Sequence, residues 1–286
     1  MTAVHGNPSA PSFAEADGVR IRIHHLGGTG PPLLCVHATG FHGRVWEPFV
    51  PPLREHFSVI ALDQRGHGDS DKPDGPYDWP KFGDDALAVV DHLGLDNPVG
   101  IGHSAGATAL VFAESSRPGT FSRLVLMDPT LVPPEYREVA PGGFNPMSEQ
   151  ARRRRAVWDS NDELIERLRT GTPLAGWRED FLRAYVTYGT DTQPDGTVRL
   201  KCPPEVEAQV YAMAPTNMGW ERLAEVRCPT LFLTGESSPI WGGDRGELAA
   251  ARLGSGRAEK MVGGHFFPME HPDETAQRVV RFLTGR

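Results

Sequence analysis

The chain has 286 residues, 39% hydrophobic and 23% charged, a balance that excludes a disordered tail or a coiled coil and suits one large domain or a domain with an insertion. Acidic residues outnumber basic ones, 37 to 29, for a formal charge of −8, which argues against a nucleic-acid partner and against docking on anionic lipid. The three cysteines, Cys35, Cys202 and Cys228, are odd in number and lack metal-ligand spacing, so reduced thiols and a cytoplasmic location are expected.

Residues 1–12 are polar and contain proline, and read as a frayed arm. The segment up to Phe13 has neither a basic n-region nor an apolar h-region, so no signal peptide is expected. No apolar run approaches the 18 or so residues that a membrane span needs. Arg20 to His24 alternates as a half-exposed strand does. Two short apolar runs follow, Pro32 to His37 and Phe57 to Asp63, with room for a short helix between Trp46 and His56. Residues 82–93 carry apolar side chains at helical spacing. Pro98 to Gly102 reads as a buried strand running straight into a helix over Ala105 to Ser116. Further strands are expected at Leu124–Asp128, Thr230–Thr234 and Glu259–Val262, with a closing helix over 273–283.

Strands that are apolar throughout and alternate with helices predict a parallel sheet covered on both faces. Between Pro133 and Val226 that rhythm stops. The stretch is helical and loop-like and carries Trp158, Trp177, Trp220, Tyr185, Tyr188 and Tyr211, with Asp195-Gly196 able to turn a small hairpin. It reads as a helical cap, residues 133–226, inserted between core parts 13–132 and 227–286. Arg152 to Arg155, the single basic run, reads as a solvated helix face, with an anion contact as the alternative.

Gly102-His103-Ser104-Ala105-Gly106 matches G-x-S-x-G. The pattern is weak alone, but here a strand precedes it and a helix follows. A sharp strand-to-helix turn lifts a serine above the sheet edge, and the helix N-terminus behind it favours negative charge. Ser104 is therefore the candidate nucleophile. The loop His37 to Gly43 can aim backbone N–H groups at a substrate oxygen, with Thr39 as one oxyanion-hole donor and Ala105, the residue after the serine, as the other. A late base suits His265, which follows Gly263-Gly264; His271, before Pro272, is expected to face outward. His37, His42, His67 and His103 are expected near the same region as structural or pocket residues. No H-E-x-x-H or other metal pattern occurs, and neither a metal nor a cofactor is expected.

The order of elements, the Gly102–Gly106 motif, Asp63-x-Arg65-Gly66-x-Gly68-x-Ser70 and the Gly264-His265 loop together resemble the α/β-hydrolase fold family over nearly the whole chain outside the cap. That resemblance implies an eight-stranded, mostly parallel sheet with helices on both faces. Two departures stand out. Ala38 occupies a loop position where glycine is usual, which leaves the loop's oxyanion donor open between Thr39 and Gly40. Most members carry the triad acid after the penultimate strand, where this chain reads Gly235-Glu236-Ser237-Ser238, with a serine in the acid's place. A minority supply it from the end of the preceding strand, which makes Asp128 the first candidate, Glu236 the alternative, and Asp244 or no acid the remainder. Asp63 and Arg65 resemble the family's structural loop, as a buried ion pair or turn. Relatives that dehalogenate or open epoxides need an aspartate where Ser104 stands. The first functional expectation is a serine hydrolase of a carboxylic ester or lactone, acting on a small apolar or aromatic acyl compound. A carbon–carbon bond hydrolase, or a ligand receptor with little turnover, is the alternative.

Overall fold

The computed structural model describes residues 11–137 and 145–285. Most of the arm expected at residues 1–12, and part of the expected cap, residues 138–144, lie outside them. The main sheet has eight strands in the order β1-β2-β4-β3-β5-β6-β10-β11. β1 (Ser12–Ala16) and β2 (Val19–Gly27) form an antiparallel hairpin, and β2 also pairs antiparallel with β4 (Ser58–Leu62). β3 (Pro32–Val36), β5 (Val99–His103), β6 (Arg123–Met127), β10 (Thr230–Gly235) and β11 (Gly256–Met261) continue the sheet from β4 in parallel.

Side chains alternate across the parallel strands, so one run feeds two cores. Leu34, Val36, Leu124, Leu126 and Phe232 pack on one face, under α2 (Trp79–His92), α3 (Ala105–Ser116) and α9 (Arg245–Arg252). Leu33, Cys35, Val125, Met127, Leu231 and Leu233 pack on the other, under α1 (Pro51–Arg54) and α11 (Pro272–Thr284). With both faces covered, the central strands β3 to β6 and β10 need no polar side, which is why they are mostly apolar, whereas β11 at the sheet edge carries Arg257, Glu259 and Lys260. The short α10 (Phe267–Glu270) precedes α11. The short helix expected between Trp46 and His56 is α1, which opens on Pro51-Pro52, and a 3₁₀ turn over Gly43–Trp46 precedes it.

Between β6 and β10 the chain leaves the sheet. It forms α4 (Pro146–Arg152), α5 (Asn161–Arg169), α6 (Glu179–Gly189), α7 (Pro204–Ala212) and α8 (Gly219–Arg222). A three-stranded sheet also lies here, β7 (Val157–Trp158), β8 (Thr190–Thr192) and β9 (Val198–Leu200), in the order β7-β9-β8. The hairpin β8–β9 turns at Asp195-Gly196, with Gly196 at φ +87°. Trp158, Trp177 and Tyr185 join the core on the Cys35 side, and Trp220 joins the other. The basic run is no helix face: α4 ends at Arg152. Arg154 turns inward to Glu207 (2.8 Å) and the Tyr185 hydroxyl (2.5 Å), while Arg152 and Arg155 hold surface carboxylates. No helix among the described residues is long and apolar enough to cross a membrane.

Candidate active site

Ser104 sits between β5 and α3 with φ +54° and ψ −118°. Two close approaches explain the flanking glycines. A Cβ on Gly106 would stand 2.2 Å from the Val36 carbonyl oxygen, and one on Gly102 would stand 2.5 Å from the Ala107 backbone. α3 can therefore start hard against the end of β3, bringing the free N–H groups of its first turn beside the loop after β3. Among the described residues, four non-glycine residues have positive φ: Asp17, Asn97, Ser104 and Asp128. Asp and Asn tolerate such turns, but Ser104 and Asp128 end neighbouring strands, and such strain, about 1–3 kcal/mol each, concentrates at functional sites.

His265 joins them. Its Nε2 lies 3.1 Å from Ser104 Oγ and its Nδ1 lies 2.6 Å from Asp128 Oδ2. Asp128 is fully buried and can only accept, so Nδ1–H donates to it. That leaves the Nε2 lone pair facing the serine hydroxyl. Two more donors hold the carboxylate: Gly235 N–H to Oδ1 at 3.0 Å, and Ser238 Oγ to Oδ2 at 2.6 Å. Ser238, standing where the family's usual acid is expected, thus holds Asp128. Glu236 does not meet His265; it is exposed after β10, with its N–H donating to the Met261 carbonyl. Asp244 is also exposed, just before α9.

The four other histidines are buried and engaged. His37 accepts the Gln64 N–H at Nε2 (2.9 Å) and donates from Nδ1 to the Ala38 carbonyl (2.7 Å), shaping the loop that carries Thr39; burial pushes it down to about 3. His103 Nε2 donates to the His265 carbonyl (2.8 Å), tying the turn at Ser104 to the loop of His265, and burial lowers it too, to about 3. His42 bonds the Tyr185 carbonyl and His67 the Arg65 carbonyl. His271 is exposed. Arg65 pairs with Asp85 (2.6 Å) rather than with Asp63, which accepts the Gly43 and Asp69 N–H groups and lies 3.0 Å from His24 Nε2. Thr39 and Ala105 are both buried at the junction of the β3 loop and α3.

Sequence reasoning missed Thr130. Its Oγ1 stands 3.2 Å from Ser104 Oγ, on the loop that supplies Asp128. The one available signal was its place two residues after the candidate acid. It also missed how Phe41, Trp177, Tyr185 and Phe266 assemble: Phe41 lies 5.1 Å from Trp177, 5.3 Å from Tyr185 and 6.0 Å from Phe266, and Phe266 lies 4.9 Å from His265. Among the described residues no cluster of His, Cys, Asp and Glu could hold a metal. The arrangement can activate a hydroxyl for attack on a carbonyl carbon.

An alpha/beta hydrolase family model matches residues 33–278. A 2-(acetamidomethylene)succinate hydrolase of Mesorhizobium japonicum is 36% identical over 229 residues, covering 74% of this chain and 73% of that protein. Epoxide hydrolase A of Mycobacterium tuberculosis is 26% identical over 324 residues, covering 96% and 97%. A 2-hydroxymuconate semialdehyde hydrolase of Pseudomonas sp. is 29% identical over 192 residues, covering 63% and 68%. The crystal structure of an E-2-(acetamidomethylene)succinate hydrolase superposes with a TM-score of 0.84 at 21% identity, covering 96% of this chain and 99% of that one.

Proposed function

The chain belongs to the alpha/beta hydrolase family, and we propose that within it the protein hydrolyses a carbon–carbon bond beside a carbonyl in a small unsaturated keto acid. The observation that carries a serine mechanism is the hydrogen-bonded line Ser104–His265–Asp128. The choice of bond is supported by the hydrolase of 2-hydroxymuconate semialdehyde, and a short unsaturated carboxylate as substrate also by that of 2-(acetamidomethylene)succinate. It displaces the ester or lactone that the residues alone put first.

Ser104 Oγ attacks the carbonyl carbon as its proton passes to His265 Nε2, and Asp128 stabilises the charged imidazole. N–H groups of Thr39 and Ala105 hold the oxyanion, a contribution of about 3 kcal/mol per donor. The carbon–carbon bond breaks with its electron pair moving into the conjugated fragment, which His265 protonates. Water, deprotonated by His265, then releases the acyl group from Ser104. Opening an epoxide in this fold needs a carboxylate nucleophile, and Ser104 is not one. Residues 133–226 serve as a cap between core parts 13–132 and 227–286, and their Trp177 and Tyr185, with Phe41 and Phe266, line the aromatic side of the substrate site.

The test is loss of the conjugated chromophore of 2-hydroxymuconate semialdehyde, run beside a nitrophenyl ester panel. The expected result is rapid bleaching by the wild type and none by Ser104→Ala. Fast ester turnover with the keto acid untouched would return the ester reading to first place. Tight binding of either compound without turnover would make the protein a receptor.

A further inference from the structure

We propose that Thr130 is a catalytic residue: its hydroxyl donates to Ser104 Oγ and supports that oxygen as it leaves the acyl-enzyme. The proposal rests on the serine mechanism above. It follows from counting protons. Ser104 Oγ has two neighbours, His265 Nε2 at 3.1 Å and Thr130 Oγ1 at 3.2 Å. Because His265 Nδ1–H is committed to Asp128, Nε2 can only accept, and it takes the serine's single proton. Thr130 is left to donate.

The hydroxyl is held for that role. The Thr130 carbonyl accepts from Asn217 Nδ2 at 2.6 Å and from Thr108 Oγ1 at 3.1 Å. One residue earlier, the Pro129 carbonyl accepts from Trp241 Nε1 at 2.9 Å. Asn217 and Trp241 are buried, so the loop is pinned from two sides. None of these bonds uses Thr130 Oγ1.

A donor to Oγ does unequal work across the cycle. In the free enzyme it already bonds a neutral hydroxyl, so attack strengthens an existing bond. In the acyl-enzyme, Oγ is an ester oxygen and a poor acceptor. When the second tetrahedral intermediate collapses, the carbon–Oγ bond breaks and its electron pair goes to Oγ, which takes the proton from His265 Nε2. Thr130 keeps its own proton throughout. Its bond then strengthens from nearly nothing to one with a charged partner, and hydrogen bonds to charged groups exceed neutral ones. Deacylation therefore feels the hydroxyl more than acylation does.

Thr130→Val keeps the shape and removes the donor; Thr130→Ser keeps the donor. With nitrophenyl acetate in stopped flow, Thr130→Val should release a burst of one nitrophenolate per site and then turn over about 10-fold more slowly. Its kcat and KM should fall together, leaving kcat/KM within about 3-fold of wild type. Thr130→Ser should restore kcat. A merely structural role predicts equal loss of kcat and kcat/KM, or loss in both variants; either result overturns the proposal, as does an unchanged kcat in Thr130→Val. If the wild type neither turns over esters nor reacts at Ser104 with a fluorophosphonate, the serine mechanism fails and takes the proposal with it.

Discussion

Replacing Asp128 by asparagine should cost far more activity than stability, because of how three donors share its two oxygens. Oδ1 accepts from Gly235 N–H, and Oδ2 accepts from both Ser238 Oγ and His265 Nδ1. An asparagine has one accepting oxygen and two arrangements. With its oxygen towards Gly235, the amide NH2 faces His265 Nδ1, which must then accept. The imidazole switches tautomer, Nε2 carries the proton, and Ser104 loses its base; such a change costs about 10⁴-fold in kcat, or roughly 5.5 kcal/mol of barrier. With its oxygen towards His265, the NH2 confronts the buried Gly235 N–H, at a cost of about 1–3 kcal/mol for an unsatisfied backbone donor. Ser238 can rotate to suit either. The tautomer switch leaves every backbone donor satisfied, so it should be the populated state. The assay is kcat on the best substrate of the panel, beside a thermal melt followed by circular dichroism. The expected outcome is a 10³- to 10⁴-fold fall in kcat, about 4–5.5 kcal/mol, with Tm lowered by no more than about 6 °C. A variant within 5-fold of wild type would refute the reasoning, and so would an equal loss in Glu236→Gln.

Two further outcomes follow from the same geometry and from the buried histidines. Ser238→Asp in the Asp128→Asn background puts a carboxylate back within reach of His265 Nδ1, since Ser238 Oγ already lies 2.6 Å from the position of Oδ2; kcat should recover at least about 10-fold over the single variant, and Ser238→Asp alone should be destabilised by two buried carboxylates in contact. Burial holds His37 and His103 down to about 3 and His42 to about 4, against 6.5 in an unfolded chain. The unfolded state therefore binds more protons below pH 6.5, so stability is level above that pH and falls as acid is added, through the window down to pH 3–4. By pH 5.5 each histidine should have cost on the order of 1 kcal/mol, a few kcal/mol together. Urea denaturation at pH 7.5 and 5.5 reads this directly, and equal midpoints would show that these rings are not held neutral.

The parallel strands were legible because burial on both faces leaves an unbroken apolar run, as in Leu231 to Leu233. β1 was not: Ser12–Ala16 is short, lies at the sheet edge and exposes part of its length, so it carries no such run. Ser104 and His265 were legible because a nucleophile turn and a glycine-preceded loop are local features. Asp128 could be ranked first only because the usual position holds Ser238. What Ser238 does instead depends on a contact across 110 residues, which no local pattern encodes. The same holds for Arg154, whose neighbours in sequence suggested solvent while Glu207, 53 residues on, draws it inward. The aromatic residues between β6 and β10 looked equally suited to wall or core; Trp158 and Trp220 are core, while Trp177 and Tyr185 pack both into the core and against Phe41 near Ser104.

Ser104 and Asp128 belong to one contiguous β5–α3–β6 unit. During synthesis this unit leaves the ribosome before Gly235 and Ser238, which hold the Asp128 carboxylate, and before His265, which bonds it. On the proposed mechanism the last strand and its loop act as an ignition key, since a nascent or truncated chain lacking them offers Ser104 no base.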